Sequence, residues 1–190
     1  NPDALQKVHP GPSYVQDLLA AGYRLGFIGG TDAHTSLTFC LPLESEHIQS
    51  PPGLTAAMTS HNTRYEIFDA IRDRRCYAAK GERIYLGVDV AGIPMGGHGS
   101  RRQLGAPPEV AATFAAESDI VSVDVVRNGR TVHTSEPGSW HGKVSWTDHD
   151  DPADVAIRGP ARNEPFLYYY VRVTTKSGGQ AWSSPVFLDV

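Results

Sequence analysis

Long apolar runs are missing from this 190-residue chain: none approaches the roughly 20 residues of a membrane-spanning helix. Clustered positive charge is missing as well. Arg74-Arg75 and Arg101-Arg102 are the longest basic runs, the net charge is −4 and the pI is about 6.0. A nucleic-acid surface needs a concentrated cationic footprint, so neither nucleic acid nor membrane is expected as a partner. Cysteine is scarce: Cys40 and Cys76 stand far apart and outside any Cys-x-x-Cys spacing. They read as two free thiols, with a disulfide left open, and lean towards a reducing, cytoplasmic compartment. There is no Gly-x-Ser-x-Gly elbow and no phosphate-cradling glycine loop, so a nucleophilic serine or cysteine mechanism has no support. The chain starts Asn1-Pro2-Asp3 without an initiator Met or a signal-peptide pattern, and is expected to be a piece of a longer protein.

What is present describes an ordinary globular protein, with 40% hydrophobic and 20% charged residues. Ser13-Tyr14-Val15-Gln16 has the capping-box form, Val15, Leu18 and Leu19 follow at helical spacing, and Gly22 is placed to stop the helix. A buried strand is expected at about Arg24–Gly29, running into Gly30-Thr31-Asp32-Ala33-His34. Side chains in extended chain alternate faces, so Asp32 and His34 point the same way. An oxygen and a nitrogen ligand on one side of a strand end suit a divalent metal such as zinc, manganese or iron. Residues 35–60 lose periodicity and carry Pro42, Pro51, Pro52 and Gly53, reading as a long loop that could shape the mouth of a site. Thr63 and Glu66 open a second capped helix whose apolar face would be Ile67, Phe68 and Ile71.

After Gly81 the pattern becomes period two. Ile84, Leu86, Val88 and Val90 alternate with polar or small residues, and similar runs cover 110–116, 120–127, 130–134, 144–147, 167–175 and 181–188. Asn128-Gly129 is a type I′ hairpin signal and Ser177-Gly178-Gly179 a second turn. About seven short strands imply a β-sandwich. The expected fold class is α+β. The expected domains are residues 1–80, the C-terminal end of an α/β domain, and residues 81–190, the sandwich.

An Asp-x-His pair is weak evidence by itself, since a His bonded to a nearby carboxylate on a solvated loop gives the same pattern. Its setting strengthens it, because ligands on α/β folds gather at the C-terminal ends of strands. His9 could reach the same end. His47, His61, His98, His133, His141 and His149 read as surface residues, and Asp148-His149-Asp150-Asp151 as a solvated acidic turn. Trp140, Trp146, Trp182 and Tyr168-Tyr169-Tyr170 invite a glycan-platform reading. Alternation splits the tyrosines between two faces, which favours core packing.

These residues resemble a known family. Tyr23 through His34 looks like the last metal-binding motif of the polymerase-and-histidinol-phosphatase (PHP) superfamily. Gly53-Leu54-Thr55-Ala56, then Arg64-x-x-Ile67-Phe68-Asp69-Ala70-Ile71-x-x-Arg74-Arg75-Cys76-Tyr77-Ala78-Ala79-x-Gly81, then Tyr169–Val173 and Ala181–Pro185 follow in the order of its carbaryl-hydrolase-like branch. The match departs at His61-Asn62, where an acidic residue or alanine would be expected. The resemblance implies a distorted α/β barrel with a β-sandwich after it. It implies metal-activated water attacking a phosphoester, carbamate or related ester, and it makes Asp32 and His34 metal ligands. The remaining ligands would lie upstream, so these 190 residues alone are expected to bind metal weakly and show little activity. The rest of the barrel, or a second copy, is the expected protein partner. A different class of function, a β-sandwich binding or assembly module that docks to a partner or glycan without catalysis of its own, stands beside this reading.

Overall fold

The computed structural model describes residues 14–30 and 53–190. Asp32, His34, His9, His47, Cys40 and Ser13 therefore lie outside the described residues. Two elements organise the remainder. Strand β6 (Glu109–Arg127) is 19 residues long, and β9 (Phe166–Thr175) is buried over most of its length. The first half of β6 pairs with β3 (Tyr85–Val90) and β8 (Ser139–Thr147). Its second half pairs with β9 and β7 (Arg130–Ser135). Register shifts near Ala115–Ser122 let one backbone serve both sets of neighbours.

From β9 the sheet continues through β10 (Gln180–Ser183) to β2 (Cys76–Lys80) and β1 (Gly53–Ala57). At its other end β9 pairs with β11 (Val186–Asp189), which takes β5 (His98–Ser100) as a parallel neighbour. The short β4 (Ile93–Pro94) finishes the edge beside β3.

This overturns the expected fold class. The described residues form a mostly β, curled antiparallel sheet, with no PHP-type barrel evident. An α/β unit places two parallel strands on either side of a crossover helix. Here helix α2 (Arg64–Arg72) joins β1 to β2, and those strands lie antiparallel and adjacent, Gly53 opposite Lys80 and Ala57 opposite Cys76. Residues on both sides of position 80 share one sheet, because β2 also pairs with β10. Arg24–Gly29 runs without turn or bend but joins no ladder with any described residue. Because β6 passes unbroken from one half to the other, the sheet curls on itself rather than forming two separate layers.

The period-two pattern is borne out locally. Leu86, Val88 and Val90 of β3 are buried, as are Val110, Ala112 and Phe114 opposite them. They pack with Leu167, Tyr169, Val171 and Val173 of β9 in the main core. Full burial of each large side chain contributes about 1.5–3 kcal/mol. The other face of β9 carries Phe166, Tyr168 and Tyr170 into a second cluster with Leu19 and Phe187, against which Leu25, Phe27 and Trp182 pack. All three tyrosines are thus core residues. Asn128 and Gly129 both take positive φ (50° and 78°), the geometry of the hairpin their sequence signals.

Two expectations about the helices change. Helix α1 (Val15–Ala20) starts after Tyr14, whose N–H donates to the Asp17 carboxylate at 3.2 Å. In α2, Thr63 Oγ1 accepts from the Glu66 N–H as expected, yet Phe68 is 63% exposed and Ile71 43%. Only Ala70 of this helix is buried.

Asp148, expected on a solvated turn, is 2% exposed. It accepts from Arg127 Nη1 at 2.6 Å and from the Tyr169 hydroxyl at 2.7 Å, while Arg127 also donates to Asp150. A carboxylate can be buried there because its partners satisfy it. Asp148→Ala leaves a buried guanidinium and a buried phenol short of their acceptor. The expected loss is about 3 kcal/mol or more, read from urea unfolding.

Burial also pushes the phenols of Tyr168, Tyr169 and Tyr170 up, that of Tyr168 to about 12. These groups must stay protonated in the fold, whereas in the unfolded chain they ionise near pH 10. Their stabilisation is complete below that pH and is lost as pH rises towards the folded value. Urea midpoints should therefore hold steady to about pH 9 and fall between about pH 10 and 12.

Candidate functional site

The stretch that leads towards Asp32 is Arg24–Gly30, and it is pinned at three points. Arg24 pairs with Asp189 at 2.9 Å, and Arg162 pairs with the same carboxylate. The Phe27 N–H donates to Ser184 Oγ at 2.8 Å, and the Phe27 carbonyl faces the Cys76 thiol at 3.5 Å. The Gly29 N–H donates to Thr55 Oγ1 at 3.1 Å, and that hydroxyl donates back to the Gly29 carbonyl at 2.7 Å. Phe27 also meets Tyr170 edge to face, ring centres 5.3 Å apart. A ladder is thus replaced by side chains from β1, β2 and the β10–β11 junction.

Ser184 does most of this joining. Its hydroxyl is fully buried, accepts from Phe27 and donates to the Cys76 carbonyl at 2.6 Å. Cys76 is a buried free thiol. Burial pushes its pKa up, against the opposing pull of Ser184 and Arg74, so it is a poor nucleophile. Gly29 must be glycine for a different reason: a Cβ there would lie 2.5 Å from the Leu54 carbonyl oxygen.

A shallow pocket of about 300 Å³ opens beside this stretch, lined by Val15, Gln16, Phe27, Ile28, Tyr170 and Trp182. Its walls are mainly apolar, with the Gln16 amide as the polar handle. No group of three or more His, Cys, Asp or Glu side chains converges on a metal-sized space among the described residues. The described histidines are dispersed. His61 pairs with Glu66 at 2.7 Å on the surface, where hydrogen bonds from His61 hold the Glu66 carboxyl below its usual value. His133 stacks on Trp146, and His141 on Trp140, both along β7–β8. The proposed ligand pair Asp32 and His34 lies outside the described residues.

Residues 40–95 match the model of a family described as "Protein of unknown function (DUF3604)". Similar curated proteins, each named only as uncharacterized, come from three chlamydiae. The Chlamydia trachomatis protein is 31% identical over 180 residues, covering 93% of this chain and 29% of its own length. The Chlamydia muridarum protein is 30% identical over 177 residues, covering 90% and 28%. The Chlamydia pneumoniae protein is 32% identical over 176 residues, again covering 90% and 28%. The chain therefore spans less than a third of the length of these relatives. No solved structure matches.

Ser184→Ala removes the acceptor of the Phe27 N–H and a donor to the Cys76 carbonyl. The expected cost is about 1–3 kcal/mol in urea unfolding. Labelling of Cys76 by a thiol reagent, mapped by peptide mass, should quicken as the stretch over it loosens.

Proposed function

We propose that this chain is part of a metal-dependent hydrolase of the PHP type, acting on a phosphoester or on another ester or carbamate. In this reading Asp32 and His34 are two of the metal ligands, and the others come from polypeptide outside these 190 residues. The observation that carries it is the pinned approach: Phe27 and Gly29 are held from one side, immediately before Gly30-Thr31-Asp32-Ala33-His34. A ligand strand needs that kind of support, because a metal site tolerates little error in ligand position. A bound zinc, manganese or iron would lower the pKa of its water and supply hydroxide near neutrality. The length of the chlamydial relatives leaves ample chain to supply the remaining ligands.

Two measurements test this. Zinc or manganese titrated calorimetrically into the 190-residue chain should show no tight stoichiometric binding, and tight binding would contradict the shared-site reading. In the full-length Chlamydia trachomatis relative, alanine at the positions aligned with Asp32 and His34 should cut hydrolysis of a chromogenic phosphoester or carbamate by at least about a hundredfold. Undiminished hydrolysis would remove the metal role.

A second reading, a β-rich binding module, is favoured by one observation. Trp140 is 53% exposed and stacks on His141, ring centres 4.0 Å apart, offering a flat aromatic surface on β8. Glycan-array binding that Trp140→Ala abolishes would support it, and silence on the array would remove it.

A further inference from the structure

In straight extended chain, the N–H and C=O of one residue point to one edge and those of its neighbours to the other. Leu25–Gly30 has no turn or bend, and its hydrogen bonds follow this alternation. Both backbone groups of Phe27 and both of Gly29 are taken, by Ser184, Cys76 and Thr55. The intervening residues Gly26 and Ile28 direct theirs to the opposite edge, where no described residue bonds them. The stretch is thus a strand with one edge filled by side chains and the other presented. Its apolar surroundings are uncovered too. Ile28 is 64% exposed, and Val15, which lines the same apolar pocket, is 48% exposed. An edge of this kind is a template for a further strand.

The geometry points to a docking site: the Gly26–Ile28 edge receives a β-strand from polypeptide outside these 190 residues, in the part of the protein that the longer chlamydial relatives carry beyond the matched region. The relatives argue for that occupant. A region matching 93% of this chain accounts for only 29% of the Chlamydia trachomatis protein, so most of that protein remains to be packed against something. The exposed Ile28 and Val15 call for aliphatic or aromatic side chains on the incoming strand. Nothing in this depends on hydrolysis, and its test reads no activity, so it stands or falls apart from the hydrolase reading.

Amide hydrogen exchange tests it. In the isolated chain, the Phe27 and Gly29 amides should be protected, while those of Gly26 and Ile28 exchange within about tenfold of the free-peptide rate. In the full-length Chlamydia trachomatis relative, the aligned segment should exchange at least about a hundredfold more slowly than it does here. Protection of Gly26 and Ile28 in the monomeric chain would overturn the proposal, since the edge would already be filled. So would protection that appears only with rising concentration, which would make the occupant a second copy. Absence of protection in the full-length relative would do the same. Ile28→Pro removes one donor from the presented edge and leaves Phe27 in the extended region a following proline favours. It should leave the thermal midpoint of the isolated chain within about 3 °C, while the aligned change in the relative restores fast exchange of the segment. Continued slow exchange in that variant would overturn the proposal.

Discussion

A strand has two hydrogen-bonding edges, and β6 fills both of them twice. Its first half is flanked by β3 and β8, its second by β9 and β7, and the change of partners happens along one continuous backbone. That requirement sets the curvature of the whole sheet. The two halves must face each other, and the core forms between them from Phe114 and Leu86 on one side and Tyr169 and Val171 on the other. The buried Arg127 belongs to the same constraint. It ends β6 where the strand turns at Asn128-Gly129, and Asp148 and Tyr169 meet it there from two different parts of the chain.

The outer face of β9 explains why the residues before Asp32 sit where they do. Phe166, Tyr168 and Tyr170 cannot be left in water, and Leu19, Leu25 and Phe27 cover them. The first described residues are therefore bound by apolar packing to nearly the last strand. Charge follows suit, with Arg24 and Arg162 converging on Asp189. The candidate catalytic stretch is thus carried by the β-rich body, not by a barrel of its own within the described residues.

Local features were legible because their causes are local. The alternation of Leu86, Val88 and Val90, the positive φ of Asn128-Gly129 and the Thr63 cap all follow from neighbours a few residues away. The fold class was not. Leu25–Gly29 has the composition of a buried strand, but a ladder depends on what lies beside it, and Ser184, Cys76 and Thr55 occupy that place. Asp148 looked solvated because nothing in its own turn announces Arg127 and Tyr169, both 21 residues away in sequence. For the site, the approach to Asp32 and His34 was legible as a stretch of special backbone. The means of holding it was not, since Ser184 sits in an unremarkable Ser-Ser-Pro junction.

That junction also imposes an order of events on the growing chain. The Phe27 N–H finds its acceptor 157 residues later, at Ser184. During synthesis, residues 24–30 can meet Thr55 of β1 and Cys76 of β2 first, but the Phe27 N–H and the Arg24 guanidinium have no partner until β10 and β11 have left the ribosome. The stretch before Asp32 and His34 is therefore made well before it is fully secured. Until then the Phe27 N–H and the Cys76 carbonyl lack their shared partner, and chain that stops short of Ser184 would never supply it.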